Sequence, residues 1–178
     1  MYRSFRCKYW LILIADICGN APNTTMTHTE LITHFYTSFA AGDAEAMAAC
    51  YHDDIVFSDP AFGTLKGEDA QNMWRMLMER SKGELKINFS DVTANEKTGS
   101  ANWRADYTFG QTGRRVINHI AAEFEFADGK IIRHTDSFNM WKWSRQALGF
   151  KGLLLGWTPI VQKAVQKQTN KLLKSYTQ

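Results

Sequence analysis

The hydrophobic period of this 178-residue chain changes once, and that change restricts the fold more than any other feature. Up to Met78 apolar residues recur at helical spacing; from Leu85 to Phe138 they alternate in twos. Leu31, Ile32, Phe35, Tyr36 and Phe39 share one helical face, with Thr27 or Thr29 as the cap, Glu30 in the first turn and Gly42 as the stop. Asp43 caps a second, short helix that carries Ala46, Met47, Ala49, Cys50 and Tyr51 into a turn at Asp53-Asp54. A brief strand, Ile55 to Ser58, then delivers Asp59 to Pro60. Gly67 leads into a third helix with Met73, Trp74, Leu77 and Met78 as its inward stripe.

Past Glu84 the chain reads as strands. Leu85, Ile87 and Phe89 alternate with polar residues, Asn95–Gly99 turns, and Ala101, Trp103, Ala105, Tyr107 and Phe109 form the next inward set. After a turn at Gln111–Arg114, Val116, Asn118, Ile120, Ala122, Phe124 and Phe126 face one way, and His119, Glu123 and Glu125 the other. Asp128-Gly129 is a tight hairpin into a last strand whose inner positions are Ile132, His134, Asp136 and Phe138. Helices followed by an antiparallel meander, without strand–helix–strand repeats, make an α+β order.

Residues 26–143 are therefore read as one domain and residues 144–178 as a helical extension. Thr158-Pro159 starts the extension's last helix, striped by Val161, Ala164, Val165, Gln168, Leu172 and Tyr176. Residues 1–25 are read as a disordered leader or an upstream start. Their apolar run from Tyr9 to Ile14 is broken by Asp16, too short for a secretory core or a membrane span. A cytoplasmic protein without a membrane partner is expected.

Composition narrows the partners. Of the formal charge of +3, the leader supplies +2, and no arginine stripe interleaves with aromatics, so nucleic acid is not expected. Three cysteines without paired spacing give neither a disulfide framework nor a thiolate site. His34 and His52 have no metal-ligand spacing with an acid, and no phosphate- or dinucleotide-binding motif occurs, so neither metal nor cofactor is expected.

Gly42-Asp43, Tyr51-x-x-Asp54, Phe57-x-Asp59-Pro60, Gly67 and Asp128-Gly129-Lys130-Ile131 together resemble the NTF2-like superfamily. The polyketide-cyclase (SnoaL-like) and ketosteroid-isomerase branches are the most similar in pattern, over Thr29 to Trp143. The resemblance implies a cone: a curled, mixed but mainly antiparallel sheet on three helices, usually dimeric, with a ligand pocket inside. It places Trp103, Tyr107, Phe109, Asn118, Ile120, Ala122, His134, Asp136 and Phe138 on the pocket face, the same parity that the alternation gives. It puts Asp59 where the steroid isomerases keep their base. In that enzyme, a worked example of carboxyl tuning, a tyrosine and a protonated aspartic acid assist. Here those positions hold Phe35 and Ala122, with Tyr36 turned about 100° from Phe35 on an ideal helix.

Asp59 is thus either a turn-former or a tuned acid/base group. His134 and Asp136, two apart on one strand face, point into the same space and are expected to meet each other, water or a ligand. The expected catalytic set is Asp59, His134 and Asp136. Asn118 polarises a carbonyl, and Trp103, Tyr107, Phe109, Trp74, Phe138 and Phe35 line the ligand. The expected function is cofactor-free proton transfer beside a carbonyl, as an isomerase, cyclase or dehydratase, on a small apolar molecule in a homodimer. The alternatives are a non-catalytic ligand binder and a protein-interaction scaffold.

Overall fold

The computed structural model describes residues 26–178, so the leader reading falls outside the described residues. Helix α1 (His28–Ala41) begins at Thr27, where a capping box joins Thr27 and Glu30, and ends at Gly42 with φ 77°. Asp43 caps α2 (Ala44–Ala49) by accepting the Ala46 N–H at 2.9 Å. Helix α3 (Glu68–Ser81) buries Ala70, Met73, Trp74 and Met76. Leu77 and Met78 pack against that core at its margin.

Six strands form one sheet: β1 (Tyr51–Asp59), β2 (Gly63–Lys66), β3 (Lys86–Ala94), β4 (Thr98–Phe109), β5 (Arg114–Ala127) and β6 (Lys130–Ser137). Their order is β2-β1-β6-β5-β4-β3. Only the β1–β6 pair is parallel among these strands. The helices pack on one face of this mixed sheet, as expected of the α+β cone.

Three local expectations fail. Tyr51 opens β1 instead of ending a helix, and Asp53-Asp54 lies inside that strand. The β1–β6 register slips between Tyr51 and Val56, so both aspartates face solvent in succession and imitate a turn in the sequence. Strand β2, four residues with only Leu65 buried, offers no alternation to read. On β6, Ile131 is buried and Ile132 is not, because the β5–β6 register shifts between Glu125 and Phe126. Beyond that shift His134 and Asp136 take the expected inner parity.

The last residues form α4 (Met140–Leu148), α5 (Phe150–Leu155) and α6 (Pro159–Tyr176), with α4 running across residues 143 and 144. Trp143 is buried with Val116 and Ala147 in a second small core, joined by Tyr107, Phe109, Phe138 and Val165. The striped face expected for α6 is only partly correct. Ala164, Gln168 and Tyr176 are exposed, whereas Gln166, Thr169, Asn170 and Leu173 face the domain. Gln166, Thr169 and Asn170 donate to the carbonyls of Pro60, Ala61 and Phe62 at 3.2, 2.8 and 2.8 Å. This helix docks largely through polar side chains on a turn, which an apolar stripe cannot reveal.

Candidate active site

The sheet's inner face brings a chain of polar groups into an aromatic interior. Asp136 sits on β6 directly across from Ala122 on β5. Its Oδ1 accepts from Trp103 Nε1 on β4 at 3.1 Å and lies 3.1 Å from His134 Nε2. On the other side of the ring, His134 Nδ1 is 2.7 Å from the Tyr51 hydroxyl, which accepts from Trp74 Nε1 at 2.9 Å. Indole N–H groups only donate and a carboxylate only accepts, so with a neutral imidazole one proton arrangement satisfies the chain. Nε2 of His134 carries the proton towards Asp136, and Tyr51 donates to the bare Nδ1.

This network is out of water. His134 and Asp136 are 0% and 4% exposed, and Tyr51 and Trp74 are equally buried. Phe35, Phe57, Phe124 and Trp74 surround the imidazole with ring centroids 4.4–6.2 Å away. Burial pushes the Tyr51 hydroxyl well above its ordinary pKa, and the Asp136 carboxylate adds to that shift. Asp136 Oδ2 has no hydrogen-bond donor among the described residues.

Asp59 is both things its sequence context allows. Its Oδ1 accepts the N–H groups of Ala61 and Phe62 at 3.0 and 2.5 Å, which is turn chemistry. Burial nevertheless lifts its pKa from 3.8 to about 7, and Asp136 pushes in the same direction against the backbone N–H groups. Burial raises the Tyr107 hydroxyl and Asp59 adds to that shift, while its oxygen accepts from Trp143 Nε1 at 2.9 Å. Asp59 therefore feels the charge of Asp136 and itself acts on Tyr107.

The remaining expected residues divide. Trp74 and Trp103 are hydrogen-bond donors to the network as well as its walls. Phe35 packs on Tyr51 and His134. Phe109 packs with Trp143 in the second core, and Phe138 lies between that core and the main one. Asn118 is half-buried on the inner face of β5 opposite Ala105, and its side chain bonds to nothing among the described residues.

Two residues went unforeseen. The sequence reads Tyr51 as the end of a helix, which hides its pairing with His134; the run Tyr51–Phe57, rich in β-branched and aromatic residues, is the available sign of a longer strand. Tyr36 does not turn away. It is fully buried, stacks on Phe89, and its hydroxyl finds no partner. Helix α1 is enclosed on a face wide enough to hold both Phe35 and Tyr36.

Two depressions, of about 490 and 540 Å³, both open on the sheet's outer side, one beside Glu123, Glu125 and Arg133 and the other beside Asn102, Arg104 and His119. Among the described residues, no group of three or more His, Cys, Asp or Glu is placed to hold a metal ion.

The family model of the SnoaL-like domain matches residues 32–134, more than half of the chain, from Ile32 within α1 to His134 on β6. The chain belongs to the SnoaL-like domain family. Solved structures agree at the level of fold. A proposed polyketide cyclase from Xanthomonas campestris pv. campestris is 22% identical, with a TM-score of 0.55 over 67% of this chain and 95% of its own. AclR, a proposed hydroxylase from Streptomyces galilaeus, is 19% identical, with a TM-score of 0.54 over 70% and 94%. A protein of ketosteroid isomerase-like fold from Catenulispora acidiphila, in complex with trimethylamine, is 12% identical, with a TM-score of 0.55 over 68% and 94%. No curated protein matches the sequence. In this SnoaL-like chain α4, α5 and α6 lie beyond the matched residues, and α6 lies on the turn that holds Asp59.

Proposed function

We propose that this SnoaL-like protein catalyses cofactor-free proton transfer beside the carbonyl of a small apolar molecule. The reaction would be an isomerisation, cyclisation or dehydration. The observation that carries the proposal is Asp59, a half-buried carboxylate lifted to about 7 and facing the interior of Asp136. A base with a pKa near the working pH combines a useful ionised fraction with real basicity. Asp59 takes the proton, and the Asp136–His134–Tyr51 chain shares or relays charge. Asn118, inward and unbonded, is free to donate to the substrate oxygen. A homodimer through the outer sheet face belongs to the same proposal.

The test is exchange of α-protons in deuterated water, followed by NMR over a panel of cyclic ketones, 1,3-diketones and unsaturated ketones. The expected result is enzyme-dependent exchange that Asp59→Asn and Asp136→Asn abolish while ligand affinity persists. Exchange unaltered in both variants overturns the assignment. A second reading, a protein-interaction scaffold, draws on the packing of Val116, Trp143 and Ala147 beside Tyr107 and Phe138. It is supported instead if no member of the panel binds or exchanges.

A further inference from the structure

Beyond the family domain, the chain is sharply divided in charge. Residues 140–178 hold six lysines, one arginine and no acidic residue, whereas residues 1–139 carry a net charge of −4. All seven cations, Lys142, Arg145, Lys151, Lys163, Lys167, Lys171 and Lys174, are exposed. The same segment carries the largest exposed apolar side chains. Phe150, Leu154, Leu155, Trp157 and Ile160 are 72, 55, 56, 71 and 78% exposed. Isolated exposed hydrophobes are ordinary, but this many within eleven residues is a patch.

The patch is held in place. Gly152 faces α4 so closely that a Cβ there would lie 1.9 Å from the Ser144 carbonyl oxygen, and one on Gly156 would lie 2.5 Å from Ser144 Cβ. These two glycines lock one side of α5 onto α4, which turns the leucines of α5 outward. Trp141 Nε1 and Trp157 Nε1 donate to the carbonyls of Leu153 and Leu154 at 3.2 and 3.1 Å. Arg145 lies over the Trp141 ring at 4.8 Å. The indole N–H groups are satisfied internally, so the tip presents mainly hydrocarbon. Ile160 begins a stripe that continues along α6 at helical spacing as Lys163, Lys167, Lys171 and Lys174.

We propose that the α5 tip and the lysine stripe of α6 dock this protein on an anionic lipid bilayer surface. A cap of exposed leucine, phenylalanine and tryptophan in a segment with seven cations and no acidic residue is the arrangement that enters the headgroup boundary. Among the described residues no helix is long and apolar enough to cross a membrane, and α5 is one and a half turns long, so the contact is interfacial. This departs from the expectation of no membrane partner, which weighed the leader and not the charge division. It does not depend on the proposed catalysis.

The test uses the full chain and co-sedimentation with phosphatidylcholine vesicles, with and without phosphatidylglycerol. Binding to the anionic vesicles, weakened by salt, is expected, with little to pure phosphatidylcholine. Leu154→Glu and the double variant Lys163→Glu, Lys167→Glu each lower the partition coefficient about tenfold or more, with unchanged circular dichroism. No sedimentation with anionic vesicles at low salt overturns the proposal, as does binding indifferent to Leu154→Glu. If Leu154→Glu instead dissolves a self-associated species that ignores vesicles, the surface joins copies of this chain and the proposal fails.

Discussion

The Tyr51 hydroxyl lies 2.7 Å from Nδ1 of His134, and this bond sets which nitrogen of the buried imidazole carries a proton. With Tyr51 donating, Nε2 keeps its hydrogen for Asp136. Tyr51→Phe removes a group that serves both Trp74 and His134 and leaves two buried polar atoms unpaired. A loss of about 1–3 kcal/mol is expected in urea unfolding. The His134 tautomer, read from its nitrogen shifts in NMR, changes as well.

Asp59 gives the fold a measurable pH dependence. Its pKa is 3.8 ordinarily and about 7 in the folded chain, so the folded state holds this proton more tightly. The stability it contributes is complete below about pH 4 and is lost as pH rises through about 7, by at most about 4 kcal/mol and less where water reaches it. The amide of Asp59→Asn cannot ionise, and it keeps an oxygen for the Ala61 and Phe62 N–H groups. Thermal melts of this variant should therefore be flatter across this range and exceed wild type at about pH 8. A variant that melts below wild type there contradicts the burial argument.

Helix α6 should tune that same carboxyl. Asn170 donates to the Phe62 carbonyl at 2.8 Å, and the Phe62 N–H is one of the bonds on Asp59. Asn170→Ala costs about 1 kcal/mol. By loosening the turn it admits water and moves the Asp59 pKa down towards its ordinary value. Carboxyl carbon shifts followed through a pH titration read this directly; an unmoved midpoint argues that α6 covers the turn without controlling it.

Gly152→Ala puts a methyl group against the Ser144 carbonyl, where no rotamer change relieves the contact. We expect a loss of about 3 kcal/mol. Amide exchange should rise in α4 and α5 while β3–β6 stay protected. Uniform loss of protection instead places the α4–α5 contact inside the cooperative unit.

Pattern alone carried the sequence a long way. The change of period separated helices from strands, Thr27, Gly42 and Asp43 marked helix ends, and strand parity placed Trp103, His134 and Asp136 on one interior face. These features follow from local geometry, since side-chain direction along a strand or helix depends on a few neighbouring residues. The bonds did not follow. Tyr51 meets His134 across 83 positions because β1 pairs in parallel with β6. The slip between Tyr51 and Val56 hid that strand from any strict alternation. Asp59 as a half-buried carboxyl of raised pKa, the second core around Trp143, and the polar docking of α6 were likewise decided by tertiary structure. Register, bulges and packing choose which distant groups share a space, and only that shared space determines a proton's position or a carboxyl's charge.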